Sequence, residues 1–250
     1  MKAYLMEHMT DWVNLGCLVW FLGCWVGYSR FARHMAKRTD CLASVMHSFR
    51  LAWMREVLFR EIRMPDASII ANLERSVSFM ASTTILVLAG IVTVLASSDQ
   101  VYGLLQHLPF VAATTSAQLQ FKLLVLVFIF VYAFFTFTWS LRQFSFCNVI
   151  LGATPIFKPG DIDQAQRDTY ARHTGKVLDQ ASHSYNFGLR AYYFSMAMLA
   201  WFIHPLAFVL AVALVVAILY RREFHSRTLH AMVEVSQDWG KPTAPDDHAS

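Results

Sequence analysis

Four long apolar runs constrain the fold of this chain more than any other feature of its sequence. The hydrocarbon core of a bilayer is about 30 Å thick, and a helix needs about 20 predominantly apolar residues to cross it. A membrane-spanning strand would need alternating polar and apolar residues, which these runs lack. Only 15% of the residues are charged, against about 25% in soluble proteins. The runs are Trp12–Tyr28, Val77–Ala96, Leu123–Trp139 and Tyr192–Tyr220.

The last run is too long for one crossing and contains a helix break. As a single helix it would measure about 43 Å. His204 precedes Pro205, and proline both lacks an N–H group and disfavours helical geometry in the residue before it. We therefore predict an all-α bundle of about five transmembrane helices, with residues 1–236 as a single membrane domain. The pattern also leaves open one kinked helix in place of the last two crossings. The predicted crossings are residues 12–28, 77–96, 123–140, 184–203 and 205–221.

The distribution of basic residues predicts how the chain threads the membrane. Residues 30–75, between the first two runs, are rich in arginine and lysine, whereas residues 97–121 contain neither and hold one acidic residue, Asp99. Connections rich in basic residues stay in the cytoplasm. We therefore expect a multi-pass protein of the bacterial inner membrane, with the amino terminus outside and the carboxyl terminus in the cytoplasm.

Residues 42–60 have the pattern of an amphipathic cytoplasmic helix. Apolar residues recur at steps of three and four, and arginines occupy the other faces. Such a helix either lies on the inner leaflet or docks on the bundle, and the pattern does not decide between the two. Asp66 follows Pro65 and is predicted to cap the helix of the second crossing. The polar tail, residues 237–250, is predicted to be disordered.

Basic and amide side chains cluster near the predicted inner boundary of the membrane. A guanidinium group offers paired donors that suit phosphate or carboxylate, so the cluster is a candidate collar for an anion or a lipid headgroup. The alternative is a set of snorkelling arginines and surface ion pairs, each contributing less than about 1 kcal/mol. The residues of this collar are Arg55, Arg60, Arg63, Arg142, Gln143 and Arg222.

Two further patterns concern contacts between helices inside the membrane. Hydroxyl side chains in the second and third crossings either pack helices together or line a path for a solute. Two glycines four residues apart, with a third one heptad earlier, let helices approach closely, within one chain or between copies, which favours a homo-oligomer. The hydroxyl residues are Ser82, Thr83, Thr84, Thr136 and Ser140, and the glycines are Gly16, Gly23 and Gly27.

The sequence contains no motif that indicates an enzyme, a metal site or a cofactor. The histidines lack HExxH and CxxCH spacing, and the cysteines lack CxxC spacing. A GxSxG elbow and a Walker loop are also missing. We therefore expect no catalytic residue, no metal, no cofactor and no nucleic-acid partner.

Three segments resemble a known family. They run from Phe59-Arg60-Glu61-Ile62-Arg63 to Phe79-Met80-Ala81-Ser82-Thr83, from Tyr132-Ala133-Phe134-Phe135 to Trp139-Ser140-Leu141-Arg142-Gln143, and over Tyr220-Arg221-Arg222-Glu223-Phe224. Together they resemble the domain of unknown function 599 family of bacterial and plant membrane proteins, over about residues 12–232. The resemblance implies a multi-spanning inner-membrane protein, and it brings no catalytic residues.

Two classes of function remain open. The first is a small oligomeric channel or solute facilitator whose path uses the hydroxyl residues, with the arginine collar as its inner vestibule. The second is a membrane scaffold or accessory subunit that does not transport and that binds a protein partner or anionic lipid. The lack of catalytic motifs favours the first, and a continuous polar path across the bilayer would distinguish the two.

Overall fold

The computed structural model describes residues 2–36, 38–105, 115–158 and 160–238, and this part of the chain contains helices and no strand. The predicted all-α fold is confirmed. Four segments are long and apolar enough to cross a membrane, and they begin at Trp12, Met64, Ser116 and Pro205. The helices are α1 (Lys2–Met35), α2 (Leu42–Val57), α3 (Met64–Ala96), α4 (Ser98–Leu105), α5 (Ser116–Ala153), α6 (Gln164–Ile203), α7 (Pro205–Phe224) and α8 (Arg227–Asp238).

Large apolar side chains cover the outside of the long helices as well as the inside of the bundle. Leu86 on α3, Phe128 on α5 and Leu210 on α7 are each more than 60% exposed. Exposed apolar surface of this extent marks a membrane-facing or partner-facing surface. Aromatic rings such as those of Phe21 and Phe194 fill the centre of the bundle and are fully buried. The exterior of the bundle is therefore suited to lipid.

The helix α6 is longer than its predicted crossing because a capping box starts it early. The Asp163 side chain accepts a hydrogen bond from the Gln166 backbone N–H at 2.6 Å, and the Gln166 side chain accepts one from the Asp163 N–H. This reciprocal pair satisfies donors that a helix start otherwise leaves free. The helix then continues past the predicted start at Ser184 to Ile203 without a break. Its first half therefore extends beyond the apolar layer.

The chain reverses at His204, as predicted from the proline. Helix α6 ends at Ile203 and α7 begins at Pro205. The Trp201 and Phe208 rings stack with centroids 4.8 Å apart, which places α7 alongside α6. The two segments therefore form a hairpin of two helices. Helix α6 is not one of the four described segments that are long and apolar enough to cross a membrane, so the crossing at residues 184–203 stays a prediction.

A buried lysine compensates for the hydrogen bond that Pro205 removes. In a continuous helix the N–H of residue 205 would donate to the carbonyl of Trp201, and proline has no N–H. The Nζ atom of Lys122 on α5 donates to this carbonyl at 3.0 Å, and Lys122 is only 4% exposed. The Trp201 indole in turn donates to Oδ1 of Asn14 on α1 at 3.1 Å. We call this group, which ties α1, α5 and α6 together, the hairpin clasp.

The amphipathic helix α2 docks on the bundle. It packs along α6 with Val45, Met54 and Val57 buried. Arg50 pairs with Asp179 at 2.7 Å on the α6 side. The remaining ion pairs of the described residues also lie at this end of the molecule, which we call the charged end. They are His47 with Asp179, Arg55 with Asp168, Glu56 with Arg167, and Arg60 with Asp66.

The prediction that Asp66 caps α3 is wrong. Helix α3 begins at Met64, with Arg63 at the capping position, because proline is favoured in the first turn and the helix starts before Pro65. Asp66 is instead fully buried in that first turn, where it accepts a hydrogen bond from the Trp53 indole at 2.6 Å. The predicted disordered tail lies outside the described residues from 239 onward, and residues 237 and 238 end α8.

We predict that Gly188→Ala destabilises the bundle. A Cβ atom at Gly188 on α6 would lie 2.5 Å from Cε1 of Phe137 on α5, whose ring is fully buried and has no room to turn aside. Overpacking of this kind costs about 1–3 kcal/mol. Thermal unfolding of the purified protein in detergent measures the loss. Gly90→Ala is the matched control, since its Cβ would meet no atom within 4 Å; equal stability of both variants would contradict the packing described.

We also predict that Lys122→Met destabilises the hairpin clasp. Methionine is unbranched and one atom shorter than lysine, and it leaves the Trp201 carbonyl buried without a donor, which costs about 1–3 kcal/mol. The exposed Lys158 provides the control, because Lys158→Met makes the same chemical change outside the bundle. Unfolding curves of the two variants in the same detergent measure the difference. A Lys122→Met protein as stable as the wild type would show that the clasp contributes nothing.

Candidate anion-binding site

Four arginines that form no ion pair meet where α1, α6 and α7 reach the charged end. Arg30 and Arg33 lie on the last turns of α1, Arg190 lies on α6 and Arg222 lies on the last turn of α7. None of them belongs to the ion pairs found among the described residues. At the same end Arg50, Arg55 and Arg60 do have carboxylate partners, so these four add positive charge that no ion pair compensates.

The first of two cavities at this cluster lies between α1, α2 and α6. Its volume is about 510 Å³. The carboxylate of Asp179 at its edge is already bound by Arg50 and His47, so it does not neutralise the arginines of α1. The lining residues are Arg30, Arg33, His34, Ala36, Ala43, Ser44, His47, Asp179 and His183.

The second cavity lies between α6, α7 and the ends of α1 and α2, and measures about 350 Å³. Arg222 donates to the hydroxyl of Tyr193 at 2.5 Å. Arg190 lies over the ring of Tyr28, with its Cζ atom 5.3 Å from the ring centroid. Glu223, the acidic residue of this cavity, accepts a hydrogen bond from the backbone N–H of Ala43 in the first turn of α2.

One aromatic ring links the two cavities. The Cζ atoms of Arg33 and Arg190 lie 5.5 and 5.7 Å from the centroid of Phe187. Stacking on rings holds a guanidinium in place through its face and leaves its N–H groups at the edge available to a ligand. The arrangement can therefore present several fixed donors to one anion. Two parallel N–H bonds to a phosphate or carboxylate are the geometry that arginine favours.

The predicted arginine collar is not one group in the folded protein. Arg55 and Arg60 are paired with Asp168 and Asp66, and Arg142 lies over the ring of Phe146. Gln143 is buried, with its amide against the hydroxyl of Ser184. Of the six predicted residues, Arg222 lines the arginine cavities described here.

Arg63, another predicted collar residue, caps the end of α5. Its guanidinium donates to the carbonyls of Leu151 at 3.2 Å, Pro155 at 2.7 Å and Thr154. The last carbonyls of a helix lack backbone donors, and a cation there also interacts favourably with the helix dipole. The contacts of Arg63 are those of a structural cap.

The predicted hydroxyl residues face in different directions. Thr84 and Ser140 are fully buried and join helices, Thr84 through the Tyr192 hydroxyl at 2.8 Å and Ser140 through a neighbouring carbonyl of α6 at 2.7 Å. Thr83 and Thr136 donate to carbonyls of their own helices, and Ser82 is exposed. These five side chains are not brought together around one path.

The three predicted packing glycines lie on the outer surface of α1. Gly16, Gly23 and Gly27 are exposed, and a Cβ atom on each would meet nothing within 4 Å. Among the described residues, no other helix of the same chain therefore packs closely against these glycines. Contact with a second copy stays a prediction.

Sequence reasoning missed both the arginine cluster and the hairpin clasp. The uneven charge of residues 30–75 gave a signal for Arg30 and Arg33, but the pairing of the other arginines with carboxylates on α6 depends on the fold. Lys122 lies just before the third apolar run, which begins at Leu123, so the sequence did not show it to be a charged residue of a membrane helix. Charged residues in membrane helices usually face a partner or a functional site, and for Lys122 the partner is the carbonyl of Trp201.

The chain belongs to the family described as "Protein of unknown function, DUF599", which matches residues 17–228. The match covers most of the chain and confirms the resemblance seen in the sequence. No curated protein and no solved structure shows significant similarity to the chain.

We predict that Arg63→Gln destabilises the protein more than Arg142→Gln does. Loss of the Arg63 guanidinium leaves carbonyls at the end of α5 without donors, and a hydrogen bond from a charged group contributes about 1.5–3 kcal/mol. Arg142→Gln removes the same charge and only a contact with the exposed face of Phe146. Chemical unfolding of both variants in the same detergent tests this order. Equal losses would contradict a capping role for Arg63.

Proposed function

We propose that this protein is a membrane scaffold that binds the headgroup of an anionic lipid in the cavities walled by Arg30, Arg33, Arg190 and Arg222. The observation that carries the proposal is the convergence of these arginines, without ion pairs, around two adjoining cavities. Phosphate-bearing headgroups provide the charge that the cluster lacks, and a guanidinium binds them with paired hydrogen bonds.

The depth of the cluster in the bundle supports a lipid as the ligand. Arg30 follows the apolar run of α1 directly, and Arg222 follows that of α7. Both therefore come at the edge of the hydrocarbon layer, where headgroups lie. Basic pockets between membrane helices at this depth are a recurring form of headgroup site. A soluble anion would neutralise the same charges, but the position of the cluster at the edge of the hydrocarbon layer favours a lipid.

The excess of basic residues supports an orientation for the site. The charged end includes the arginine-rich residues 30–75, and such connections stay in the cytoplasm. We place this end in the cytoplasmic leaflet of the bacterial inner membrane, with the amino terminus outside. That leaflet attracts basic protein segments when it contains anionic lipid.

The packing of the hydroxyl residues favours a scaffold over a solute facilitator. Thr84 and Ser140 use their hydroxyl groups to join helices, and Thr83 and Thr136 bond to their own backbones. A facilitator needs a continuous set of polar groups along its path. The cavities at the charged end instead resemble a site that holds a ligand at the membrane boundary.

We predict that Arg190→Gln/Arg222→Gln weakens binding of phosphatidylglycerol about tenfold or more. Each lost charge-assisted hydrogen bond contributes about 1.5–3 kcal/mol, and 1.4 kcal/mol corresponds to a factor of ten. Native mass spectrometry of the detergent-solubilised protein, titrated with phosphatidylglycerol or phosphatidylcholine, counts the bound lipids. The wild type should retain phosphatidylglycerol in preference to phosphatidylcholine.

The control for this experiment is Arg142→Gln/Arg172→Gln, which removes the same charge outside the two cavities. Arg142 lies over Phe146, and Arg172 donates to the hydroxyl of Thr169. The lipid binding of this control variant should equal that of the wild type. Equal weakening in both double variants would show that net charge alone attracts the lipid, and a wild type without preference for phosphatidylglycerol would refute the proposal.

A further inference from the structure

An apolar groove lies on the side of α2 that faces away from the arginine cavities. It has a volume of about 490 Å³ and opens between α2 and the first turns of α3, with α6 as its floor. Most of its walls are hydrocarbon or aromatic, and its polar side chains are few. The lining residues are Met46, Phe49, Arg50, Ala52, Trp53, Glu56, Arg60, Ile69, Leu73, Leu178 and Ser182.

The groove exists because α2 and α3 pack on different partners. Helix α2 packs on α6 and α8, whereas α3 packs on α5. The two meet at one end, where Asp66 of α3 accepts hydrogen bonds from Trp53 at 2.6 Å and from Arg60 at 2.5 Å. Beyond this closed end the two helices make little contact with each other, so the groove between them is a cleft.

Two apolar side chains on the α3 wall of the cleft are exposed. Ile69 is 47% exposed and Leu73 is 38% exposed. Both lie on the early turns of α3, ahead of the second apolar run that starts at Val77. Apolar surface outside the hydrocarbon layer is stabilised when a ligand covers it. The cleft volume falls within the about 300–1,000 Å³ of sites for small molecules.

The charges at the cleft favour an anionic end on the ligand. Arg60 uses Nη1 for its bond to Asp66, and 44% of its side chain stays exposed. The acidic residue of the lining, Glu56, is paired with Arg167. A carboxylate beside Arg60 would accept the donors that Asp66 does not use. An apolar cleft with a guanidinium at its closed end matches one long hydrocarbon chain that carries a carboxylate.

We propose that the cleft between α2 and α3 binds one long-chain fatty acid, with its chain along Met46, Phe49 and Leu73 and its carboxylate at Arg60. This site is separate from the arginine cavities on the α1 side of α2. It therefore does not depend on the proposed binding of lipid headgroups.

The test is photolabelling of the full-length protein in phosphatidylcholine nanodiscs with a diazirine-bearing palmitic acid, followed by peptide mapping. We expect saturable labelling of the peptides that contain the cleft residues of α2 and the first turns of α3. Palmitic acid should compete with the probe, and methyl palmitate should compete about tenfold less well, because the ester offers no charge to Arg60.

Two substitutions on α2 distinguish the cleft from the rest of the surface. Ala52→Phe fills the cleft and should reduce saturable labelling about tenfold. Ser48→Phe adds the same ring at an exposed position that is not part of the cleft lining and should leave labelling unchanged. Folding of both variants is checked by their unfolding temperatures, so that loss of labelling is scored only for folded protein.

Several results would overturn the proposal. These are labelling that does not saturate, labelling confined to the lipid-facing helices, equal competition by methyl palmitate, or equal labelling of Ala52→Phe and Ser48→Phe. Dimers that a bifunctional crosslinker captures in the wild type and not in Ala52→Phe would show that a second copy occupies the cleft, which also refutes a fatty acid. Arg190→Gln/Arg222→Gln should label like the wild type, so failure of the headgroup proposal leaves this result unaffected.

Discussion

The fold depends on a hydrogen bond that a proline removes and a lysine replaces. Pro205 cannot donate to the Trp201 carbonyl, and the break that follows turns α7 back along α6. Lys122 reaches the freed carbonyl from α5, so this carbonyl has a donor although Trp201 is fully buried. The same reversal returns the basic end of α7 to the level of Arg190. A chain that crossed once at this point would carry Arg222 to the opposite side of the membrane.

The charged end combines two kinds of arginine with different consequences. Arg50, Arg55 and Arg60 are matched with carboxylates and hold α2 against α6 and the start of α3. Three arginines of the cluster, Arg33, Arg190 and Arg222, lie over aromatic rings and have no ion pair. A guanidinium paired with a carboxylate holds two parts of the fold together, whereas one stacked on a ring keeps N–H groups that can donate to a ligand. The proposed anion site is built from the second kind, and helix α2 lies between that site and the apolar cleft.

The sequence was sufficient to predict the parts of the fold that follow from local chemistry. The apolar runs predicted the membrane helices, the His204–Pro205 step predicted the hairpin, and apolar spacing predicted α2. It was insufficient where a residue's role depends on a distant partner. Arg63 belongs to a dense run of charges, but it acts as a cap because the end of α5 lies beside it. Gly188 has no motif around it, and its importance comes from the Phe137 ring on another helix.

We propose that the cluster of Arg30, Arg33, Arg190 and Arg222 holds a lipid phosphate at the edge of the bilayer. Solid-state NMR measures this directly through dipolar coupling between the phosphorus of phosphatidylglycerol and the ¹⁵N-labelled guanidinium groups of the reconstituted protein. The account predicts arginine nitrogens within about 5 Å of phosphorus, the range of a hydrogen-bonded pair, and loss of that coupling when Arg190 and Arg222 are replaced by glutamine. No such coupling in the wild type, or coupling that persists unchanged in the variant, would contradict it.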